Sequence, residues 1–112
     1  MKRGDVALVV LQGEMGKPRP GVIVQADELD HLASVIVCPM SSDILRTSNT
    51  RPIVTPTPEN GLRVATQIMT DKMNSIRRDR VRRVIGALDT TAREALDSAL
   101  LVVLGLTHRA RR

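Results

Sequence analysis

The residue whose type and setting point most directly to chemistry is Arg19, in the segment GKPRPGVIVQ (residues 16–25). Pro18 and Pro20 stand on either side of it. A proline fixes its own φ and restricts the residue before it to extended backbone, so Pro20 should hold Arg19 extended. A guanidinium can bind a phosphate through two parallel hydrogen bonds. The segment therefore predicts an arginine that is held at a fixed place to meet an anion.

Two hydroxyl side chains follow a second apolar segment. SVIVCP (residues 34–39) predicts a strand, and Ser41 and Ser42 come directly after it. Consecutive strands usually pair, so we expect this strand to lie beside the one that follows Arg19. A guanidinium and a hydroxyl at the same end of two adjacent strands would form a site for an anion or a phosphodiester.

A second group of cations lies in SIRRDRVRR (residues 75–83), which holds five arginines and one aspartate. Two interpretations stay open. The segment is a solvated edge strand whose charges prevent pairing with other chains, or its arginines contact phosphates.

The composition favours an anionic partner, because the 112 residues carry a net charge of +5. A mildly basic surface without such a partner is the alternative. The chain has no Phe, Tyr or Trp. Bases therefore cannot stack on aromatic rings, and any contact with nucleic acid must come from Arg, Lys, hydroxyls and backbone.

The cysteine and histidine content argues against a metal or other cofactor. Cys38 is the single cysteine, and His31 and His108 are far apart in the sequence. No intrachain disulfide and no multi-cysteine zinc site can form. Cys38 itself is expected to be a small buried apolar residue.

The apolar stretches are much shorter than the roughly 20 residues that a membrane span needs. The start of the chain also lacks the pattern of a signal peptide. We therefore expect a cytoplasmic protein without a membrane segment.

Short β-branched segments between glycine- and proline-rich turns predict strands. The predicted strands cover residues 5–11, 21–25, 34–38, 53–55, 63–69 and 81–88. Pro39 is expected to end the third strand, residues 40–52 to form a loop with at most one helical turn, and residues 71–80 to form a polar connection. Gly86 is expected to mark a bulge.

Residues 89–106 have the apolar spacing of a helix. Thr91 with Glu94 forms a capping-box pattern, Asp89 is a competing cap, and Gly105 can end the helix. The apolar face widens at Leu101 and Val102, so either the barrel or another subunit should cover it. Residues 107–112 form a basic tail, which is expected to be frayed.

These elements predict a mainly β fold. It is a small SH3-like barrel of five to six, at most seven, short and mostly antiparallel strands with a C-terminal helix. Without a repeat or a linker, residues 1–112 are expected to form a single domain.

Several segments, in their order and spacing, resemble the MazF/PemK family of toxin–antitoxin endoribonucleases. The most specific is the Arg-Pro segment KPRPGVIVQ, and together the segments cover nearly the whole chain. They are RGDV (residues 3–6), KPRPGVIVQ (17–25), VIVCPMSS (35–42), NGLRVATQIMTDKMNSIRRDRV (60–81), and IGAL with the helix ending in LGL (85–106).

The resemblance implies an SH3-like barrel with a C-terminal helix, assembled as a homodimer. It also implies metal-independent cleavage of single-stranded RNA at a short sequence. A cognate antitoxin, whose acidic extended C-terminal segment occupies the RNA groove, should inhibit the toxin.

By residue, the resemblance matches Arg19 to the functional arginine of the family and Ser41 to its functional hydroxyl residue. The residues expected to contact RNA are Lys17, Ser42, Arg46, Arg51, Gln67, Lys72 and Arg77. For Lys17, Arg46, Arg51 and Lys72, ordinary solvated surface cations are the alternative. The family commonly has threonine where Ser41 stands. Some members of the family have an acidic residue at the position of Thr66, so the role of that acidic residue is not assigned to this chain.

The implied reaction is attack of the RNA's own 2′-hydroxyl on the neighbouring phosphorus, giving a 2′,3′-cyclic phosphate and a 5′-hydroxyl. Arg19 suits charge stabilisation, and Ser41 could hydrogen-bond a phosphoryl oxygen or the 2′-hydroxyl. The sequence does not identify the general base. Because fold does not fix function, a gyrase-poisoning toxin like CcdB and a non-catalytic RNA-binding module stay as alternatives.

Overall fold

The structure is a computed structural model that describes residues 1–13, 15–45 and 50–107. The described residues form seven strands and one C-terminal helix, so the predicted fold class is confirmed. The elements are β1 (Asp5–Val9), β2 (Arg19–Ile23), β3 (Ser34–Ser41), β4 (Ile53–Val54), β5 (Thr66–Ile68), β6 (Asn74–Arg77), β7 (Val81–Ala87) and α1 (Thr90–Val103). Single 3₁₀ turns cover Asp27–Leu29, Thr70–Lys72 and Arg78–Arg80.

The strands form one curled antiparallel sheet in the order β4-β5-β3-β2-β1-β7. The sixth strand, β6, pairs with the first half of β3, from Ser34 to Val37. The second half of β3 pairs with β5 through Met40 and Ser41. β3 therefore changes its neighbour on this side between Val37 and Met40.

The prediction that Pro39 ends the third strand is wrong, because β3 continues to Ser41. A proline has no N–H to donate to a ladder. Pro39 lies where the neighbouring strand changes from β6 to β5, and its carbonyl accepts a hydrogen bond of 2.8 Å from the Met69 N–H. The N–H that Pro39 lacks would therefore fall between β6 and β5, at a position that pairs with neither strand. Ser41 is consequently part of a strand and does not belong to a loop.

Two other element predictions are corrected. β2 begins at Arg19, two residues before the predicted start, so Arg19 itself is paired in the sheet, opposite Val9. Residues 71–80 are not a plain polar connection, because they contain β6. Ile76 is the one buried residue of that strand, which leaves too little alternation in the sequence to signal it.

The core is aliphatic, as the absence of aromatic residues requires. Alternate residues of the central strands β1, β2 and β3 belong to two different clusters. One includes Val6, Val22 and Cys38 and packs against Leu96 of α1, while the other includes Val9 and Val37. The central strands are therefore buried on both faces, as the continuous apolar segments predict.

The helix begins after Asp89, whose side chain accepts a hydrogen bond of 2.8 Å from the Ala92 N–H. The capping-box prediction at Thr91 is therefore wrong, and the competing cap Asp89 is the N-cap. Gly105, at φ +70°, follows the helix in the left-handed conformation that the sequence predicted. Residues 108–112 of the basic tail lie outside the described residues.

The bulge predicted at Gly86 is confirmed. Val6 lies opposite Gly86 and Ala7 lies opposite Val84, so Ile85 is an extra residue on β7. In the described part of the chain, no helix is long and apolar enough to cross a membrane.

Candidate active site

The pairing of β2 with β3 brings Arg19 and Ser41 to the same edge of the sheet. Gly21 lies opposite Pro39 and Val22 lies opposite Cys38. The strands are antiparallel, so two residues further in this direction are Arg19 on β2 and Ser41 on β3. The neighbouring strands expected from the sequence are thus present, and their register sets the two side chains at one end.

Arg19 and Ser41 line a cleft of about 1020 Å³. Leu8 of β1 and Met40 of β3 also line it, together with residues from β7 and from the connection between β4 and β5. The charged residues that line the cleft are the cations Arg19, Arg63, Lys72 and Arg83 and the carboxylate Asp43. Four cations against one carboxylate make the described part of this cleft suitable for a polyanion.

The hydroxyl of Ser41 is oriented by the backbone that follows it. Its Oγ accepts a hydrogen bond of 3.1 Å from the Asp43 N–H. This contact uses the hydroxyl only as an acceptor, so its O–H stays available to donate a hydrogen bond to a ligand in the cleft.

Gln67, predicted to contact RNA, is 1% exposed and lies opposite Ser41 in the ladder between β3 and β5. Its Nε2 donates to the Leu45 carbonyl at 2.7 Å. Its Oε1 accepts from the Leu45 N–H at 3.5 Å and from Nη1 of Arg51 at 3.4 Å. The amide is therefore engaged with the backbone that leads away from Ser41.

Arg51, also predicted to contact RNA, holds Asp71 through two hydrogen bonds. Nε to Oδ1 measures 2.7 Å and Nη2 to Oδ2 measures 2.8 Å. These bonds lower the pKa of Asp71 below its ordinary value and raise that of Arg51. The next residue along the chain, Lys72, lines the cleft.

The other predicted contacts fall in different places. Ser42 lines the cleft, as Lys72 does, whereas the exposed Lys17 precedes β2 and does not.

Arg77 lies opposite Ser34, at the other end of β3 from Ser41, and pairs with Asp79 at 2.6 Å. At about 3.3 Å per residue, the two ends of β3 are roughly 23 Å apart. Arg46 lies outside the described residues.

Sequence reasoning missed two charged residues of the cleft, Asp43 and Arg63, and it named Arg83 only as one of the five arginines of residues 75–83. Arg83 belongs to an arginine-rich segment whose pairing with β1 is irregular: the register shifts at two places along β1, and both Arg83 and Val84 line the cleft. Only the strand pairing shows which of those arginines reaches the cleft.

Cys38 is fully buried, as expected, and burial raises the pKa of its thiol to about 11. It lies in the core and is not placed to act as a nucleophile. Among residues 1–13, 15–45 and 50–107, no three His, Cys, Asp or Glu side chains come together as a metal site.

Comparison with known proteins defines the class to which the fold and this cleft belong. Residues 2–104 match the model of the PemK-like, MazF-like toxins of type II toxin–antitoxin systems. The chain belongs to this family, which confirms the assignment made from the sequence.

A curated relative from Mycolicibacterium smegmatis is named a probable endoribonuclease MazF. It is 36% identical over 107 residues, which cover 95% of this chain and 98% of that protein. Its name agrees with the enzyme class expected from the sequence.

Solved structures show the same fold. The Mycobacterium tuberculosis toxin MazF-mt6 is similar with a TM-score of 0.79 and 25% identity, over 92% of this chain and 98% of that one. An endoribonuclease from Mycobacterial species, in complex with its cognate antitoxin, has a TM-score of 0.81 and 21% identity, over 97% and 99% of the two chains.

Proposed function

We propose that this chain is the endoribonuclease toxin of a type II toxin–antitoxin pair and that it cuts single-stranded RNA in the cleft at Arg19 and Ser41. The observation that carries the proposal is the register of β2 with β3, which sets a guanidinium and an oriented hydroxyl at one edge of a basic cleft. The relative that is named a probable endoribonuclease supports the same enzyme class.

The proposed reaction needs no bound metal. The 2′-oxygen attacks the adjacent phosphorus and loses its proton to a base, while the bond from phosphorus to the 5′-oxygen breaks. The leaving 5′-oxygen takes up a proton from a water molecule, and the proton taken from the 2′-hydroxyl returns from the base to water. The products are a 2′,3′-cyclic phosphate and a 5′-hydroxyl.

Arg19 and Ser41 act on the charge that develops at the phosphoryl oxygens. A guanidinium stays protonated at neutral pH, so Arg19 stabilises negative charge and cannot take the proton of the 2′-hydroxyl. Ser41 donates a hydrogen bond from its hydroxyl to a phosphoryl oxygen, since its contact with the Asp43 N–H uses the oxygen only as an acceptor.

Asp43 is the proton acceptor in this proposal. It is the one carboxylate among the described residues that line the cleft, and it lies two residues from Ser41. A carboxylate is able to accept a proton, whereas a guanidinium or an ammonium group has no free lone pair with which to take one.

Ser42 and Lys72 contact the substrate, because both line the cleft. Gln67 and Arg51 act as positioning residues. The hydrogen bonds of Gln67 fix Leu45, which lies two residues after Asp43, and those of Arg51 fix Asp71, which directly precedes Lys72. Lys17, Arg46 and Arg77 stay predictions. A contact at Arg77 requires RNA that extends along β3 beyond the cleft.

The proposal includes a homodimer and a cognate antitoxin whose acidic C-terminal segment competes with RNA for the basic cleft. The net charge of +5 on this chain supports the antitoxin as a partner, because an acidic segment is complementary to it in charge. Two similar structures are described as an endoribonuclease with its cognate antitoxin and as a MazE–MazF assembly from Deinococcus radiodurans. A single domain over residues 1–112 and a location in the cytoplasm stay predictions.

Brief expression of the chain followed by mapping of new 5′ ends in total RNA tests the proposal. We expect cuts at one short sequence, with 5′-hydroxyl ends and undiminished cleavage in excess EDTA. Arg19→Ala should abolish the cuts, while Arg82→Ala, an exposed arginine outside the cleft, should leave them unchanged. Growth arrest with intact RNA and gyrase trapped on DNA would replace this proposal with the gyrase-poison alternative.

A further inference from the structure

Two exposed Arg–Val pairs line the cleft away from Arg19 and Ser41. Arg63-Val64 lies on the β4–β5 connection (residues 55–65), and Arg83-Val84 lies on β7. The side chains of Val64 and Val84 are unusually open for valine, with 55% and 45% of each residue exposed. Each pair therefore offers the cleft a guanidinium beside an apolar surface.

The two pairs are held in a fixed relation because the β4–β5 connection packs directly on β7. Gly61 has φ +72°, and a Cβ there would collide with the Ile85 carbonyl. A Cβ on Gly86 would collide with the backbone of Glu59 and Asn60. The Ala87 N–H also donates to the Glu59 carbonyl at 2.9 Å. The absence of two Cβ atoms thus lets the elements that carry the Arg–Val pairs touch.

The turn before Arg63 is itself rigid. Asn60 is 2% exposed, and its Oδ1 accepts from the N–H groups of Thr57 at 3.1 Å and Leu62 at 3.0 Å. Its Nδ2 donates to the Thr55 carbonyl at 2.9 Å. A surface built on such a turn is arranged before a ligand arrives, so binding costs little ordering entropy.

The strand register separates this surface from Arg19. Leu8 lies opposite Pro20 on one side and opposite Arg83 on the other. Two steps of about 4.8 Å between strands set Arg83 roughly 10 Å from the Pro20 position. Arg83 therefore meets a different part of an extended RNA chain from the part that Arg19 meets.

Arg63 and Arg83 form no ion pair with any carboxylate of the described residues, whereas Arg51 and Arg77 each hold an aspartate. Their guanidinium groups do not have to break an internal contact to bind an anion. Since the chain has no aromatic residue, valine side chains supply the apolar surface on which a base can pack.

We propose that Arg63-Val64 and Arg83-Val84 form a second subsite of the cleft, which binds a nucleotide flanking the scissile phosphodiester. The arginines contact backbone phosphate and the valines pack against the face of the base. This inference rests on the proposed function, because it assumes that RNA occupies the cleft. It assigns part of the substrate's length and sequence preference to residues that take no part in bond cleavage.

The test measures binding of a single-stranded RNA oligonucleotide that contains the mapped cut site, with a 2′-deoxyribose at the attacking position to prevent cleavage. Arg83→Ala and Arg63→Ala should each weaken binding roughly tenfold and lower the slope of log K against log salt by about 0.7. Arg82→Ala is the matched control, because this neighbouring exposed arginine does not line the cleft; its affinity and salt slope should equal those of the wild type. Val84→Ser should weaken binding severalfold with an unchanged salt slope.

The outcomes separate this inference from the proposed function. Wild-type cleavage combined with equal affinities for Arg83→Ala, Arg63→Ala and Arg82→Ala overturns the subsite and leaves the proposed function intact. A change of oligomeric state in Val84→Ser at unchanged RNA affinity also overturns it, because the exposed valines then belong to a subunit interface. A wild-type chain that neither binds nor cuts RNA overturns both.

Discussion

The hydroxyl oxygen of Ser41, the last residue of β3, accepts a hydrogen bond of 3.1 Å from the backbone N–H of Asp43. This contact links the two residues to which the proposed mechanism assigns opposite tasks. Ser41 donates a hydrogen bond to a phosphoryl oxygen, and Asp43 takes a proton from the 2′-hydroxyl. The same turn of backbone therefore sets the positions of a donor and an acceptor.

Replacing Ser41 tests its proposed role as a hydrogen-bond donor to the phosphoryl oxygen. Ser41→Ala should lower kcat by roughly 10²-fold, because one hydrogen bond to developing charge is lost. Ser41→Thr should stay within several-fold of the wild type, since threonine keeps the hydroxyl and is stiffer at χ1. Single-turnover cleavage of the mapped RNA measures both. Wild-type kcat in Ser41→Ala would remove Ser41 from the mechanism.

Replacing Asp43 tests its proposed role as the acceptor of the proton from the 2′-hydroxyl. Asp43→Asn keeps the backbone N–H and the size of the side chain but cannot take up a proton. We expect kcat to fall by roughly 10²-fold and the acid limb of the rate–pH profile to disappear. RNA affinity should not fall, because a negative charge beside the phosphates is removed. An unchanged rate–pH profile in Asp43→Asn would assign the base elsewhere.

The pair of Arg51 with Asp71 predicts a pH dependence of stability. Arg51 lowers the folded-state pKa of Asp71, so the pair stabilises the fold at pH values above the unfolded-state pKa of about 3.9. That stabilisation is lost as the pH falls through the folded-state pKa. Asp71→Asn should therefore lower the free energy of unfolding at pH 7 by at most about 1 kcal/mol, because Asp71 is half exposed, and the difference between the two proteins should shrink as the pH falls and Asp71 becomes protonated.

Calorimetric melting of both proteins at several pH values measures this difference. Asp79→Asn is the control, because the pair of Arg77 with Asp79 is open to solvent on both sides and should contribute little. Equal effects of the two substitutions would show that the Arg51 pair has no special structural role.

The burial of the Cys38 thiol predicts that the folded state loses stability at alkaline pH. Burial keeps its thiol protonated up to about pH 11 in the folded state, whereas an unfolded cysteine ionises near pH 8.5. The free energy of unfolding should therefore fall as the pH rises above about 8.5, by roughly 1–2 kcal/mol at pH 10 from this group. Denaturant titrations of the wild type and Cys38→Ala should show a shallower alkaline slope in the variant. Rapid alkylation of the folded protein at pH 8 would contradict the burial.

Alanine substitutions at Gly61 and Gly16 allow a matched comparison that tests the contact between the β4–β5 connection and β7. Both have positive φ, +72° and +76°, but a Cβ meets the Ile85 backbone at Gly61 and nothing within 4 Å at Gly16. Gly16→Ala should cost about 1 kcal/mol from backbone strain alone, and Gly61→Ala about 2–4 kcal/mol because the clash adds to it. Equal costs in denaturant titrations would mean that the two elements separate easily.

The pairing of β2 with β3 was predictable because consecutive strands usually pair, and it led directly to Arg19 and Ser41. The length of β3 was not predictable. Pro39 is a strand breaker by its local chemistry, and only the change of neighbour from β6 to β5 makes it harmless. β6 was missed because one buried residue, Ile76, does not form a pattern.

The site was predicted less completely than the fold. Gln67 was expected at the RNA surface, yet its amide is used inside the protein, and nothing in the sequence distinguishes a polar side chain that holds backbone from one that meets a ligand. Arg63 and Arg83 are far apart in the sequence. They share a cleft only because Gly61 and Gly86 let the β4–β5 connection pack against β7.

The change of neighbour along β3 has a consequence for local unfolding. Before Pro39, β3 pairs over four residues with β6, but beyond it the sheet continues through β5, of three residues, and β4, of two. Such short ladders should open at lower free energy than the centre of the sheet, so their amide hydrogens should exchange with solvent first. Because β5 pairs with Ser41, the edge of the sheet that holds the proposed site would rearrange without unfolding of the rest of the molecule.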